Sequence, residues 1–123
     1  MPVREAKVQA VVETPAPSTN VRLSVCRAED VPPGQMRGFI IDGLEILIIH
    51  GPKDTFYALS NECTHGEAPL DLGELLLDKR EVQCGVHEGR FNIVTGEATA
   101  KPCDEPLPVY GVEIVDGDVV VTV

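Results

Sequence analysis

Cys63-Thr64-His65-Gly66 and Cys84-Gly85-Val86-His87 each pair one thiol with one imidazole at short range. The first pair is spaced C-x-H and the second C-x2-H, with residues 66 to 83 between them. Thiolates suit ferric iron and bridging sulfide. Neutral imidazoles take negative charge off the iron they bind and raise its potential. A 2Fe–2S centre with two Cys on one iron and two His on the other needs this mixture. Two loops, each giving one sulfur and one nitrogen, can grip such a centre from opposite sides. Two Cys and two His also make a structural zinc site. Zinc fingers, however, bring both Cys in one knuckle and both His in another. Here each pair is mixed, and the spacing favours iron–sulfur over zinc.

Outward from these pairs the pattern is β. Val21, Leu23 and Val25 alternate with Arg22 and Ser24. Phe39 to Ile41 and Glu45 to Ile49 flank Asp42-Gly43, and Val109 to Val115 and Asp118 to Val123 flank Asp116-Gly117. Asp-Gly between apolar runs is a strong signal for a two-residue hairpin. Gly51-Pro52-Lys53-Asp54 reads as a further turn before a strand over Thr55 to Leu59. Short strands are expected at Glu81 to Gln83 and Arg90 to Asn92, beside the second pair. Leu70 to Asp78 fits either a short helical turn or a loop with a brief strand. No helix longer than about two turns is expected. Residues 1–19, with Pro2, Pro15 and Pro17, read as a flexible N-terminal tail. Residues 20–123 read as a single all-β domain. Its scaffold comes from about 20–60 and 104–123, and a metal-binding lobe over about 61–103 is inserted in it. Both pairs follow strand-like runs, which would put the two His at a tip that a partner can reach.

The chain has 20 acids against 10 bases, a net charge of −10. That argues against nucleic acid, whose phosphates require basic patches, and against anionic membrane surfaces. It favours a basic protein partner whose attraction weakens with salt. No charged-then-apolar leader and no run of about 18 apolar residues is visible, so a cytoplasmic location is expected. Thiols stay reduced there. Of the two other cysteines, Cys26 ends an alternating strand and reads as a small packed side chain. Cys103 lies in a Pro-rich loop. His50, before Gly51-Pro52, reads as structural.

These residues give the chain a resemblance to the Rieske ferredoxins that serve bacterial aromatic-ring-hydroxylating dioxygenases. It runs over about residues 21–123, through Asp30-Val31-Pro32-Pro33-Gly34, the two ligand pairs, Cys84 to Phe91, Thr95-Gly96-Glu97 and Glu105-Pro106-Leu107. The resemblance implies a Rieske fold of three antiparallel sheets, with a small cluster lobe on a β base. It implies one Rieske-type 2Fe–2S cluster on Cys63, His65, Cys84 and His87, with no catalytic residues. It implies a shuttle of single electrons from an NADH-dependent flavin reductase to a terminal oxygenase, and an exposed cluster tip suits a monomer. High-potential Rieske proteins carry two further Cys in a disulfide, and Ser and Tyr hydroxyls near the cluster. The matching positions here are Ala68, Val86, Gly89 and Phe91. Without those donors the potential is expected at the low end of the range, roughly −150 mV. Gly66, Gly85 and Gly89 would permit close backbone approach. Pro102 resembles the loop that covers the cluster in the family. Glu62, Glu67 and Glu88 would rim the docking tip. The small subunits of assimilatory nitrite reductases share the resemblance, though many lack the ligand pairs. The small subunits of arsenite oxidases share it too but usually carry an export signal. A zinc-stabilised interaction module is the alternative from another class.

Overall fold

A computed structural model describes residues 21–63, 69–85, 89–101 and 105–123. They form ten strands: β1 (Arg22–Arg27), β2 (Met36–Ile41), β3 (Leu44–His50), β4 (Phe56–Ser60), β5 (Glu74–Leu76), β6 (Glu81–Gln83), β7 (Arg90–Asn92), β8 (Ala98–Ala100), β9 (Val109–Val115) and β10 (Asp118–Thr122). Single 3-10 turns connect some of them. The all-β expectation holds. No helix of the described residues is long and apolar enough to cross a membrane.

Both Asp-Gly hairpins form. Asp42 and Gly43 take φ of 51° and 79°, and Asp116 and Gly117 take 51° and 84°. Two successive left-handed residues make the type I′ turn whose twist matches the strands it joins. They set the registers Ile41↔Leu44 and Val115↔Asp118. The turn after β3 also forms, with Lys53 at φ 59° and Asp54 at φ 57°. Leu70 to Asp78 combines both expected forms. A 3-10 turn spans Leu70–Leu72, β5 follows, and a second turn spans Leu77–Lys79.

The strands make two antiparallel sheets, where three were expected. One has the order β1-β10-β9-β4-β3-β2 and the other β5-β6-β7-β8. The physical reason is β9. Its last five residues, Gly111 to Val115, pair with β10. Its first two, Val109 and Tyr110, pair with Leu59 and Ala58 of β4. One long strand therefore fuses the N-terminal and C-terminal hairpins into a single six-stranded base.

The base has two apolar faces along β3, where Ile46, Leu47, Ile48 and Ile49 are all fully buried. Strand alternation sends them to opposite sides. Ile46 and Ile48 join Ala58, Val119 and Val121 in one core. Leu47 and Ile49 join Leu59, Cys63, Leu70, Val82, Cys84, Phe91, Ile93 and Leu107 in the other. The four-stranded sheet thus sits on the outer face of β3. Burial of each such side chain contributes about 1.5–3 kcal/mol.

Candidate metal centre

Cys63 and Cys84 come from separate loops into one apolar core, each almost wholly buried and neither in a disulfide. Different local structures deliver them.

The first loop leaves β4 through Asn61, a buried polar residue. Its backbone N–H donates to the Glu45 carbonyl at 3.1 Å, and its own carbonyl accepts from the Leu70 N–H at 2.8 Å. Its side-chain Oδ1 accepts from the Asp71 N–H at 2.9 Å, and Nδ2 donates to Asp71 Oδ1 at 3.0 Å. A bridge between Glu62 and Pro69 adds to this closure. A Cβ on Gly38 of β2 would collide with Asn61 Nδ2 and lie 2.9 Å from Asp71 Cγ. The glycine makes room for the pair.

The second loop is the tip of the β6–β7 hairpin. Its ladder pairs Gln83 with Arg90, and the Cys84 N–H donates to the Gly89 carbonyl at 2.8 Å. Arg90 Nε donates to Gln83 Oε1 at 3.1 Å, and Arg90 Nη1 lies 3.6 Å from Glu81 Oε1. That Glu81 oxygen is buried with no hydrogen-bond partner among the described residues.

The loops meet through two glycines. A Cβ on Gly73 would strike the Gln83 carbonyl oxygen and lie 2.9 Å from Gly85 N. A Cβ on Gly85 would lie 3.0 Å from the Leu72 carbonyl oxygen. Backbone rests on backbone here, and only residues without side chains permit that approach. Leu72 itself points outward, 75% exposed, beside this junction.

Several expectations can be placed. His65, His87, Gly66, Glu67, Ala68, Val86, Glu88, Pro102 and Cys103, like the tail of residues 1–19, lie outside the described residues. Gly85 does serve close packing, but against Leu72 and Gly73. Phe91 is fully buried in the apolar core and carries no hydroxyl. Glu62 is exposed beside Cys63. Cys26 packs against the base core at a bulge in β1. Burial, and then the charge of Asp30, push its thiol up to about 11, so it stays protonated near neutrality. His50 is buried, with Nδ1 at 2.7 Å from the Val31 carbonyl and Nε2 at 3.1 Å from Asp54 Oδ1. It stacks on Phe56 with ring centroids 4.1 Å apart. These contacts bear out its structural reading. Sequence reasoning missed Gly38, Asn61, Asp71 and Gly73, because each acts through a partner distant in the chain.

The donor set fits an iron–sulfur group. Two thiols share a water-poor pocket, and each is followed within three residues by the imidazole of its motif.

Comparison with known proteins agrees. The family description "Rieske [2Fe-2S] domain" matches residues 21–111. The chain is 40% identical over 99 residues to ferredoxin CarAc of Metapseudomonas resinovorans, covering 80% of this chain and 91% of that one. Its structure is similar to the ferredoxin of carbazole 1,9a-dioxygenase from Nocardioides aromaticivorans IC177, with a TM-score of 0.76, 35% identity and coverage of 81% and 95%. It also matches a chain in a solved complex of reduced oxygenase and oxidised ferredoxin in carbazole 1,9a-dioxygenase, with a TM-score of 0.73, 39% identity and coverage of 81% and 91%. The first two are ferredoxins by name, and the third match belongs to a complex of a ferredoxin with an oxygenase. A nitrite reductase small subunit from Mycobacterium tuberculosis matches with a TM-score of 0.74 over 85% of this chain and 96% of that one. Its identity of 19% shows a shared fold alone.

Proposed function

The chain belongs to the Rieske [2Fe-2S] domain family, and on that premise we propose that it is a one-electron carrier between an NADH-dependent flavin reductase and a terminal ring-hydroxylating oxygenase. The observation that carries this reading is the shared burial of Cys63 and Cys84 in one core, from two loops that rest on each other at Gly73 and Gly85. We assign Cys63 and Cys84 to one iron and His65 and His87 to the other. When bound, such a cluster supplies reversible one-electron chemistry.

This chain's own residues do the rest. Leu47, Leu70, Val82, Phe91 and Ile93 exclude water from the thiol side of the site. The Cys84–Gly89 backbone bond holds the second loop closed. In this reading the electron leaves through the imidazoles of His65 and His87. Glu62 beside Cys63 and Leu72 beside the Gly73–Gly85 junction are exposed and offer a negative charge and one apolar contact. The net charge of −10 favours a basic dock. Residues 20–123 act as one domain with its lobe at about 61–103, as a cytoplasmic monomer.

The test is reconstitution. The purified protein is mixed with a ring-hydroxylating system's NADH-dependent reductase and its oxygenase, and reduction is followed at visible wavelengths. One electron should enter per protein and pass on to the oxygenase, more slowly as salt rises. A colourless, zinc-loaded protein that accepts no electron would replace this reading with a zinc-stabilised module.

A further inference from the structure

Asn61 ties the two feet of the first ligand loop through both its backbone and its side chain. It precedes Cys63 by two positions, and its partners Leu70 and Asp71 stand beyond the loop's far end. The orientation of its amide is fixed by chemistry. The Asp71 N–H can only donate, so it must face Oδ1. Nδ2 is thereby turned to the Asp71 carboxylate. The contact is reciprocal: one residue's amide spans the other's backbone and side chain. It lies under β2, where the missing Cβ of Gly38 leaves the space.

We propose that Asn61 and Asp71 form a clasp that positions the first ligand loop for the cluster, with Gly38 as the seat of the clasp. This rests on the electron-carrier reading above. A loop whose ends are pinned loses less conformational freedom when its Cys63 and His65 are fixed by iron. The second loop needs no such device, because the β6–β7 ladder already closes it. Asn61 and Asp71 bond to each other across the loop's two ends, so both act through the loop as positioning residues.

The geometry dictates an asymmetric set of variants. Asn61→Asp puts a carboxylate oxygen where Nδ2 now donates, against the Asp71 carboxylate in a buried place. Asp71→Asn leaves an amide oxygen that can still accept from Nδ2. The double variant Asn61→Asp/Asp71→Asn reverses the hydrogen bond and restores the wild-type charge. Gly38→Ala pushes a methyl group into the clasp from another strand. Ala in place of Gly within a strand otherwise favours stability, so any harm there comes from the collision.

The experiment uses the whole chain, purified anaerobically with its cluster. It reads cluster loss at a temperature well below unfolding and the g-values of the reduced protein, with a thermal melt by circular dichroism as control. Asn61→Asp and Gly38→Ala should lose cluster about tenfold faster, as is typical when a residue supporting a metal ligand is changed, and should shift the g-values. Asp71→Asn should stay within about twofold of wild type, and the double variant should recover most of the loss. Wild-type behaviour of Asn61→Asp overturns the proposal, and so does a double variant as impaired as Asn61→Asp. A wild-type protein with no iron–sulfur signal overturns the electron-carrier reading and this proposal with it.

Discussion

The two loops that carry the proposed ligands deliver Cys63 and Cys84 to the same core by different chemistry. The second is a hairpin tip, closed by backbone: three ladder pairs between β6 and β7 and the Cys84–Gly89 bond. The first joins a base strand to a 3-10 turn, and two side chains, Asn61 and Asp71, do much of the closing. Backbone closure tolerates exchange of most side chains, since it uses groups every residue carries. Side-chain closure depends on particular donors and acceptors and fails when one is changed. The first loop should therefore be the more sensitive to substitution away from its ligands.

The largest effect should treat the loops alike. Cys63→Ala and Cys84→Ala each remove a proposed ligand, and each should abolish the visible absorption and most of the bound iron. Retention of a normal cluster by either variant would remove that cysteine from the ligand set.

Gly73→Ala comes next and attacks the junction rather than either loop. Its Cβ would strike the Gln83 carbonyl, and backbone must shift to relieve that. Cluster content should fall severalfold, with a destabilisation of about 1–3 kcal/mol, read from iron content and denaturant unfolding. Gly43→Ala is the control for space. Nothing lies within 4 Å of the site where its Cβ would be, so only the positive φ of 79° opposes it.

Smaller effects should follow from the side chains that decorate the second loop. Gln83→Ala removes an acceptor from the partly exposed Arg90 and should cost under about 1 kcal/mol. Cluster loss should stay within about twofold of wild type. A tenfold change would mean that side chains close this loop too, and the contrast between the loops would disappear.

The smallest effect lies in the base, away from both loops. The Cys26 thiol is raised from 9.0 to about 11, mainly by burial. A raised value means that the folded state holds its proton where the unfolded chain has released it. The associated stability is complete below pH 9 and is lost as pH climbs through about 11. Cys26→Ser should flatten that part of the stability–pH curve, as measured by urea unfolding at each pH. The residue is only partly buried, so the change should be small.

The same contrast explains what could be read in the sequence. Asp42-Gly43 and Asp116-Gly117 announced their hairpins because a type I′ turn demands those residue types locally. Glu45 to Ile49 and the short strands at Glu81 to Gln83 and Arg90 to Asn92 were legible too, as apolar or strand-like runs beside turns or the second pair. The proposed ligand pairs stand out because each sits within four consecutive residues. Long-range choices were not. The fusion of the base into one sheet depends on Val109 and Tyr110 finding β4, some fifty residues earlier in the chain. β8, Ala98–Ala100, carries two alanines and one threonine, and takes its strand form from β7 rather than from propensity. Asn61 and Asp71 read as ordinary polar residues until the fold sets them beside Gly38.

The central claim is that Cys63, His65, Cys84 and His87 together hold one 2Fe–2S cluster. Pulsed electron paramagnetic resonance of the dithionite-reduced, anaerobically purified protein tests it most directly. The account predicts a rhombic signal with nitrogen couplings from two imidazoles, and loss of that mixed-ligand signal in His65→Ala and in His87→Ala. A silent protein carrying one zinc per chain, or a cluster signal without nitrogen coupling, would contradict it.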